Sequence, residues 1–443
     1  MSAEPIGVMN VHKRIRDISN WKGPVGLDRM RRLLELMGNP EKALKIIHVG
    51  GTNGKGSTAH FIKSILEAEN YNVGIFTSPH LVVFNERIQT SQGMISDEDF
   101  ERLANDVMNY AEVLNQEGFG FLSQFEILTA TAYAFFAEKK PDYVIMEVGI
   151  GGRYDATNAI DSSLVTIISQ IGIDHVSMLG DTLALIAGEK ACIIKQGVPL
   201  ISTSKELEVK EVLFNEAKQK NAPIIDCSTF DYRIINSANK ACNGYTTIFD
   251  ACICDKKYES LQISMLGEHQ ITNSIAAIAA VMQMIDVSEN AIRNGLLAAC
   301  NPGRFEFLRY GPDFIIDGAH NDSGIKSAIA TFESVEGSCE AKKVLVGFGC
   351  LADKDVEDMV SLISMSFKGA DIVVLEPNSD RALSSEKLHE LFVKNDRNCD
   401  ILTNIGELFS RKNAKKYDII IVLGSIYLIG EVRALFLKKY KEL

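Results

Sequence analysis

Apolar positions recur in two rhythms along most of the chain. Short β-branched runs such as Ile46, Ile47, His48 and Val49 read as buried strands, and stretches such as Phe61, Ile62, Ile65 and Leu66 place their apolar residues at helical spacing. Further strands are expected at Tyr71 to Thr77, Asp142 to Val148, Ser163 to Gln170 and Pro199 to Thr203. Strands alternating with helices imply an α/β fold, a parallel sheet joined by crossover helices. Between Phe230 and Met265 the rhythm changes to short strands around Asn243 and Gly244, a hairpin-like insert, and the alanine-rich helix HQITNSIAAIAAVMQMI follows. Asn301, Pro302 and Gly303 then break the pattern. Strands return at Phe314 to Asp317, Lys343 to Phe348, Asp371 to Glu376 and Asp418 to Leu423. Two domains are expected, residues 1–300 and a smaller α/β domain over 301–443, with no internal repeat or low-complexity tract.

Composition narrows the class without naming a function. The 443 residues are 23% charged and 46% hydrophobic, as in ordinary soluble proteins, and a net charge of −12 argues against broad binding to nucleic acid or an anionic membrane. The opening segment MSAEPIGVMNVHKRIRD has no apolar h-region, and no apolar run approaches the ~18 residues of a membrane span. A cytoplasmic location is expected. The nine cysteines show no paired zinc spacing, and Cys252 and Cys254 alternate in a strand-like segment, so reduced structural thiols are expected.

Candidate chemistry concentrates first in KIIHVGGTNGKGSTAHFIKSIL, Lys45 to Leu66, where a glycine-rich turn joins a buried strand to an amphipathic helix. Backbone N–H groups freed at such a junction, with the helix dipole, form an anion site that glycine lets a phosphate approach closely. The pattern G-x-x-x-x-G-K-[ST] would need glycine at Val49 and a hydroxyl at Gly56; here Gly50 and Ser57 each come one step late, so this is a variant phosphate loop. Lys55 is positioned to neutralise β/γ phosphates.

Metals for phosphates take hard oxygen ligands, which strand ends present. In DYVIMEVGIGGRYDATN, Glu147 closes an apolar strand and lies two residues before Gly149; the alternative is a strand-edge glutamate in a surface pair. Asp174 and His175 occupy the equivalent place after the next strand, where His175 is a ligand or a structural histidine.

Taken in order, GTNGKGS, TSPHL, ERI, EVGIGGRYDATN, DHVSMLG, GEKA, LGEHQITN, PGRFE and DGAHN closely resemble folylpolyglutamate synthase and dihydrofolate synthase of the Mur ligase superfamily. The motifs run from Gly51 to Asn321, and the shifted serine is itself a family trait. The resemblance implies a P-loop Mur-ligase-like ATPase domain and a C-terminal α/β domain. The implied activity is an ATP-dependent amide ligase that adds L-glutamate to dihydropteroate and to reduced folates through an acyl phosphate, with ATP in a cleft between the domains. By the same resemblance Thr52, Asn53, Gly54, Lys55, Gly56 and Ser57 hold the ATP phosphates, and Asn273, Arg304 and Asp317 contact the nucleotide. Ser78, Glu147 and His175 bind magnesium, and a carbamylated Lys190 holds a second ion. Lys55, Lys190 and His320 are the catalytic candidates, the last with no fixed role. The helical spacing of Leu183, Leu185, Ile186 and Ala187 points Lys190 inward; the alternative is a solvated helix lysine like Lys195.

For the pterin side the resemblance implicates the segment GLDRM, the stretch containing Ser123, Phe125 and Glu126, and Asp155. Phe125 can equally be core with Leu128 and Ala132, Asp155 a turn residue beside Asn158, and Arg31 and Arg32 a solvated helix face. A monomer with no nucleic-acid or membrane partner is expected. Alternatives are a folylpolyglutamate synthase without the dihydrofolate synthase activity, or a non-catalytic nucleotide-binding module. A peptidoglycan-precursor ligase would need a further domain before the loop, where about fifty residues stand.

Overall fold

A computed structural model of the chain describes residues 15, 26–241, 244–309, 312–336 and 342–440. Most of the opening segment and Asn243 of the expected hairpin turn lie outside the described residues. Contacts divide the chain into two compact units. The first comprises the described residues up to Phe230 together with Asn273–Gly295, and the second comprises Asp231–Thr272 and those from Leu296 onward.

In the first unit the strands are β1 (Ile46–Gly50), β2 (Val73–Phe76), β3 (Ile88–Thr90), β4 (Gly93–Met94), β5 (Tyr143–Glu147), β6 (Val165–Ile168), β7 (Leu200–Ser202) and β8 (Ile224–Asp226). They form one sheet in the order β4-β3-β2-β5-β1-β6-β7-β8. Pairing is parallel from β2 to β8, and β3 and β4 add an antiparallel edge. β1 lies at the middle, buried along its whole length between β5 and β6. Its β-branched residues suit a strand covered on both faces, as parallel sheets require. The expected strands are all present: β1 runs one residue further, to Gly50, and the others are shorter by one or two residues at their ends.

Helices α1 (Lys55–Ala68), α2 (Gln124–Lys139) and α3 (Leu183–Ala191) are among those packed on this sheet. Phe61, Ile62, Ile65 and Leu66 of α1 are fully buried, as their spacing predicted. α2 is apolar nearly all round, with Tyr133 and Phe136 enclosed in a core that also holds Phe76, Val144 and Met146.

The second unit begins with β9 (Tyr232–Ala241), β10 (Gly244–Ile253) and β11 (Lys256–Ile263), an antiparallel sheet. Its strands are eight to ten residues long rather than short. By its contacts this insert groups with the later residues. The Tyr245 ring lies 5.2 Å from that of Phe307, and Leu266 shares a core with Phe305 and Ile315. After α4 (Glu268–Met282) and α5 (Glu289–Ala298) come β12 (Glu306–Arg309), β13 (Asp313–Ile316), β14 (Val344–Phe348), β15 (Asp371–Val374), β16 (Asp400–Ile401) and β17 (Ile419–Leu423), then α6 (Ile426–Tyr440). Their order is β12-β13-β17-β14-β15-β16, parallel except at β12.

Among the described residues no helix is long and apolar enough to cross a membrane, and Cys192, Cys227, Cys252, Cys254, Cys300, Cys350 and Cys399 are free thiols.

Gly295 shows how closely this fold is packed: a Cβ added there would stand 2.5 Å from Ile65 Cα and 2.8 Å from the Ser64 carbonyl carbon. On helix propensity alone Gly295→Ala would stabilise α5 by ~1 kcal/mol. The backbone of α1 cannot yield as a side chain can, so the expected outcome is a loss of ~1–3 kcal/mol in denaturant unfolding. A raised unfolding midpoint would contradict this helix contact.

Candidate functional site

The carboxyl end of β1 runs directly into the glycine turn. Gly51 has φ 140° and Gly54 φ 88°, both in the region where an L side chain is strained. Space demands glycine as well, since a Cβ on Gly51 would collide with Ser169 Oγ and one on Gly54 with Asn273 Oδ1. The turn is clasped by the segment after β6: Thr52 and Asn53 N–H groups donate to the Gln170 carbonyl at 2.9 and 3.2 Å. Thr52 Oγ1 donates to the Gly172 carbonyl at 3.1 Å, and Ser169 Oγ lies 2.8 Å from that of Asn53. α1 then starts at Lys55 with Gly54 as its N-cap, and no side chain caps it. Lys55, Gly56 and Ser57 form its first turn, where N–H groups and the dipole favour an anion.

Two lysines meet at one carbonyl oxygen of this loop. Lys55 Nζ donates to the Gly51 and Thr52 carbonyls, each at 3.1 Å, and Lys190 Nζ reaches the Gly51 carbonyl at 2.8 Å. Lys190 lies near the end of α3 and is buried. Burial foremost, then the charge of Lys55, pulls its pKa down to about 7, against the opposing pull of Asp174 and Asp155. Near neutral pH its amine is therefore substantially uncharged, and a neutral amine is nucleophilic. The solvated alternative does not describe Lys190, nor does it describe Lys195. That residue lies beyond the end of α3 and donates to the Asn158 and Ile160 carbonyls at 3.2 and 2.7 Å; a turn of chain with orphan carbonyls holds it there.

Glu147 ends β5 beside β1, in register with Val49, and is buried. Its Oε2 accepts the Ser78 N–H at 3.1 Å, so a carboxylate and a hydroxyl-bearing residue stand together at the sheet's carboxyl edge. His175 is exposed with φ 50°, and its Nε2 lies 3.8 Å from Asp174 Oδ2. No cluster of three His, Cys, Asp or Glu side chains suited to a metal occurs among the described residues. The buried Glu147 carboxylate at the sheet edge is nevertheless a hard oxygen donor of the kind magnesium takes, a few such oxygens being completed by water and phosphate.

Of the residues implicated for the pterin by resemblance, Glu126 and Asp155 are buried. Glu126 is gripped by Arg29, Nε to Oε1 at 2.9 Å and Nη2 to Oε2 at 2.8 Å, and also accepts the Ser123 N–H and hydroxyl at 2.8 and 2.7 Å. Ser123 and Glu126 are thus the capping box of α2, tied by a buried bidentate ion pair to Arg29 of the GLDRM segment. Arg29 carries the contact that sequence reasoning missed; Arg31 and Arg32 lie on an outer face, with Arg32 bound to Glu117 and Glu35. Asp155 is buried at the N-cap of the turn Ala156–Ala159 and accepts the N–H groups of Gly149, Ile150 and Thr157. Burial pushes its pKa up, opposed by these hydrogen bonds. Phe125 lies 5.8 Å from the Phe76 ring, and a Cβ on Gly149 would stand 2.7 Å from its ring edge.

The second unit holds Arg304, Asp317 and His320 together at the start of its sheet. Asp317 follows β13 and accepts the Phe305 and Ala319 N–H groups, each at 2.7 Å, while desolvation raises its pKa against the pull of Arg304. His320 Nδ1 lies 2.8 Å from the Gly318 carbonyl. Glu306 accepts the Gly303 N–H at 2.7 Å and is held by Arg433 of α6, fixing the turn that carries Arg304.

Comparison with known proteins bears on these features together. The family model for the Mur ligase middle domain matches residues 120–281, and that for the Mur ligase glutamate ligase domain matches 303–426. The chain is 34% identical over 423 residues to the dihydrofolate synthase/folylpolyglutamate synthase of Bacillus subtilis, covering 92% of this chain and 94% of that one. It superposes on folylpolyglutamate synthase from Thermotoga maritima with a TM-score of 0.84 at 32% identity, covering 97% of each chain. On Escherichia coli FolC in complex with DHPP and ADP the TM-score is 0.83 at 25% identity, covering 98% of this chain and all of the other. A glycine loop of the variant spacing, followed in order by the strand-end residues described above, is thus set in a chain related over nearly its whole length to these enzymes, and it belongs to the dihydrofolate synthase/folylpolyglutamate synthase family of Mur ligases.

Proposed function

We propose that this protein is an ATP-dependent carboxylate–amine ligase that adds L-glutamate to dihydropteroate and to the glutamate tail of reduced folates. The observation that carries the reading is the glycine turn of β1 opening on the uncapped N-terminus of α1, with Lys55 and Lys190 converging on the Gly51 carbonyl. That arrangement suits a polyphosphate, and the complex of E. coli FolC with ADP supports a nucleotide as its ligand.

A carboxylate does not react with an amine until one oxygen becomes a leaving group. Transfer of the γ-phosphoryl group supplies it: a bond forms between the substrate carboxylate oxygen and phosphorus as the β–γ bridging bond breaks, and ADP departs. The glutamate amine then attacks the acyl carbon, phosphate leaves, and the amine proton passes to solvent or base. In this reading Thr52, Asn53, Gly54, Gly56 and Ser57 cradle the phosphates, and Lys55 neutralises charge that develops during transfer. Asn273, against Gly54, and Arg304 with Asp317 are the proposed nucleotide contacts.

As magnesium ligands we propose the Glu147 carboxylate, which the Ser78 N–H reaches, the Ser78 hydroxyl and His175; a bound ion would supply positive charge at the phosphates. For Lys190 we propose carbamylation: carbon dioxide adds to the neutral amine, which loses a proton and becomes an anionic oxygen ligand fitted to a second ion. Its burial and its lowered pKa support this.

Purified protein with ATP, magnesium and glutamate is expected to turn over dihydropteroate and tetrahydrofolate, releasing ADP and phosphate. No turnover of either substrate, or release of AMP and pyrophosphate, would sink the proposal; turnover of tetrahydrofolate alone would restrict it to polyglutamylation. Lys55→Ala and Glu147→Ala should each cost at least about a hundredfold in ligation while remaining folded, the scale expected for loss of a transition-state charge stabiliser. Lys190→Ala should lose activity that small carboxylic acids partly restore. Because the folded amine loses its proton through about pH 7, activation of the wild type by bicarbonate should rise between roughly pH 6 and 8. An unmodified Lys190 in a crystal of active, metal-loaded enzyme would reject the carbamate.

A further inference from the structure

β1 is apolar except at His48, which is wholly enclosed. An imidazole adds nothing to the packing of this strand that isoleucine would not, and burial foremost, then Lys195, lowers its pKa to about 3, so the ring is neutral. Its Nε2 lies 2.8 Å from Thr157 Oγ1. The Thr157 hydroxyl in turn donates to Asp155 Oδ1 at 2.5 Å, and the Thr157 N–H to the same oxygen at 3.0 Å. Asp155 Oδ2 takes the N–H groups of Gly149 and Ile150 at 2.9 and 3.1 Å. A hydroxyl has one proton. With that proton given to Asp155, the Thr157 oxygen can only accept from His48, so the ring proton sits on Nε2. Nδ1 is then a bare acceptor, and it is a buried atom with no hydrogen-bond partner among the described residues.

The far end of this chain is the turn that follows Glu147. Its inner side is fastened by Asp155, by the Phe125 ring against Gly149 and by Leu179 against Gly151. Its outer side presents Ile150 and Tyr154, 41% and 53% exposed, with the exposed Arg153–Glu189 ion pair between them along the chain. Such a surface suits one face of a planar heteroaromatic ring.

We propose that His48 is a positioning residue for the pterin end of the substrate: through Thr157 and Asp155 it holds the turn at residues 149–155, whose Ile150 and Tyr154 receive the ring. This rests on the function proposed above and deepens it, assigning a specificity role to a residue that touches no substrate. Loss of the Nε2–H donor loosens the pterin wall while the phosphate loop keeps its own clasp from Gln170 and Ser169.

The test compares His48→Leu, His48→Gln and Thr157→Val, each checked for folding by circular dichroism. In His48→Leu and Thr157→Val the KM for the pterin substrate should rise at least about tenfold with the KM for ATP changed less than about twofold. His48→Gln, whose amide can donate to Thr157 Oγ1, should recover most of that loss. Unaltered kinetics in folded His48→Leu, or a fall in kcat with both KM values unmoved, overturns the assignment. Nitrogen NMR of the ring in unsubstituted protein should show the neutral Nε2–H tautomer at pH 7, and the Nδ1–H tautomer or a charged ring there refutes it even where the variants do not fold. Since the ring is read without turnover, failure of the hydrogen-bond chain and failure of the proposed reaction are seen separately.

Discussion

The first unit depends on how closely the chain after β1 can be pressed against the chain after β6. Gly51 lies over Ser169, Thr52 and Asn53 hang from the Gln170 carbonyl, and Gly54 lies against Asn273. None of this admits a side chain at Gly51 or Gly54. The clasp fixes the Gly51 carbonyl as the meeting point of Lys55 and Lys190, and it orients the start of α1. Because the backbone dipoles are set by packing before any ligand arrives, a polyphosphate held as proposed would find its donors already aligned, with little reorganisation needed at the moment of reaction.

Around that loop, buried charge is handled by internal pairing. Glu126 gives both carboxylate oxygens to Arg29 and to the cap of α2. Asp155 gives both of its own to a turn. Removing one partner of such a set leaves a desolvated charge, which is why these groups are more sensitive to substitution than their distance from the loop suggests. Lys190 is the exception, since its neighbour is another cation and the carbonyl it touches cannot hold its charge in place. Burial lowers the pKa of Lys195 as well, to about 8, but it caps two carbonyls away from the loop, whereas Lys190, lowered to about 7, shares the Gly51 carbonyl with Lys55.

Much of the chain was legible before folding was considered. The β-branched runs of β1 and β5 and the helical spacing of α1 determined the α/β class, because a strand apolar along its length can only be buried on both faces. Glycines after a strand and before a helix marked the tight turn proposed to hold phosphate, for the steric reason seen at Gly51 and Gly54. What local pattern could not carry was partnership across the sequence. Arg29 and Glu126 lie ninety-seven positions apart, Lys190 and Gly51 one hundred and thirty-nine, and no spacing rule connects them. The insert at β9 to β11 precedes the break at Asn301, and its contact with residues beyond that break, as of the Tyr245 ring with Phe307, is likewise invisible to local pattern. Sequence by itself determined where the tight glycine turn falls and which stretches had to be buried, since both follow from local sterics and hydrophobic period. Only the tertiary structure decided which way each buried polar side chain turned, because that is set by which distant group can satisfy it once water is gone.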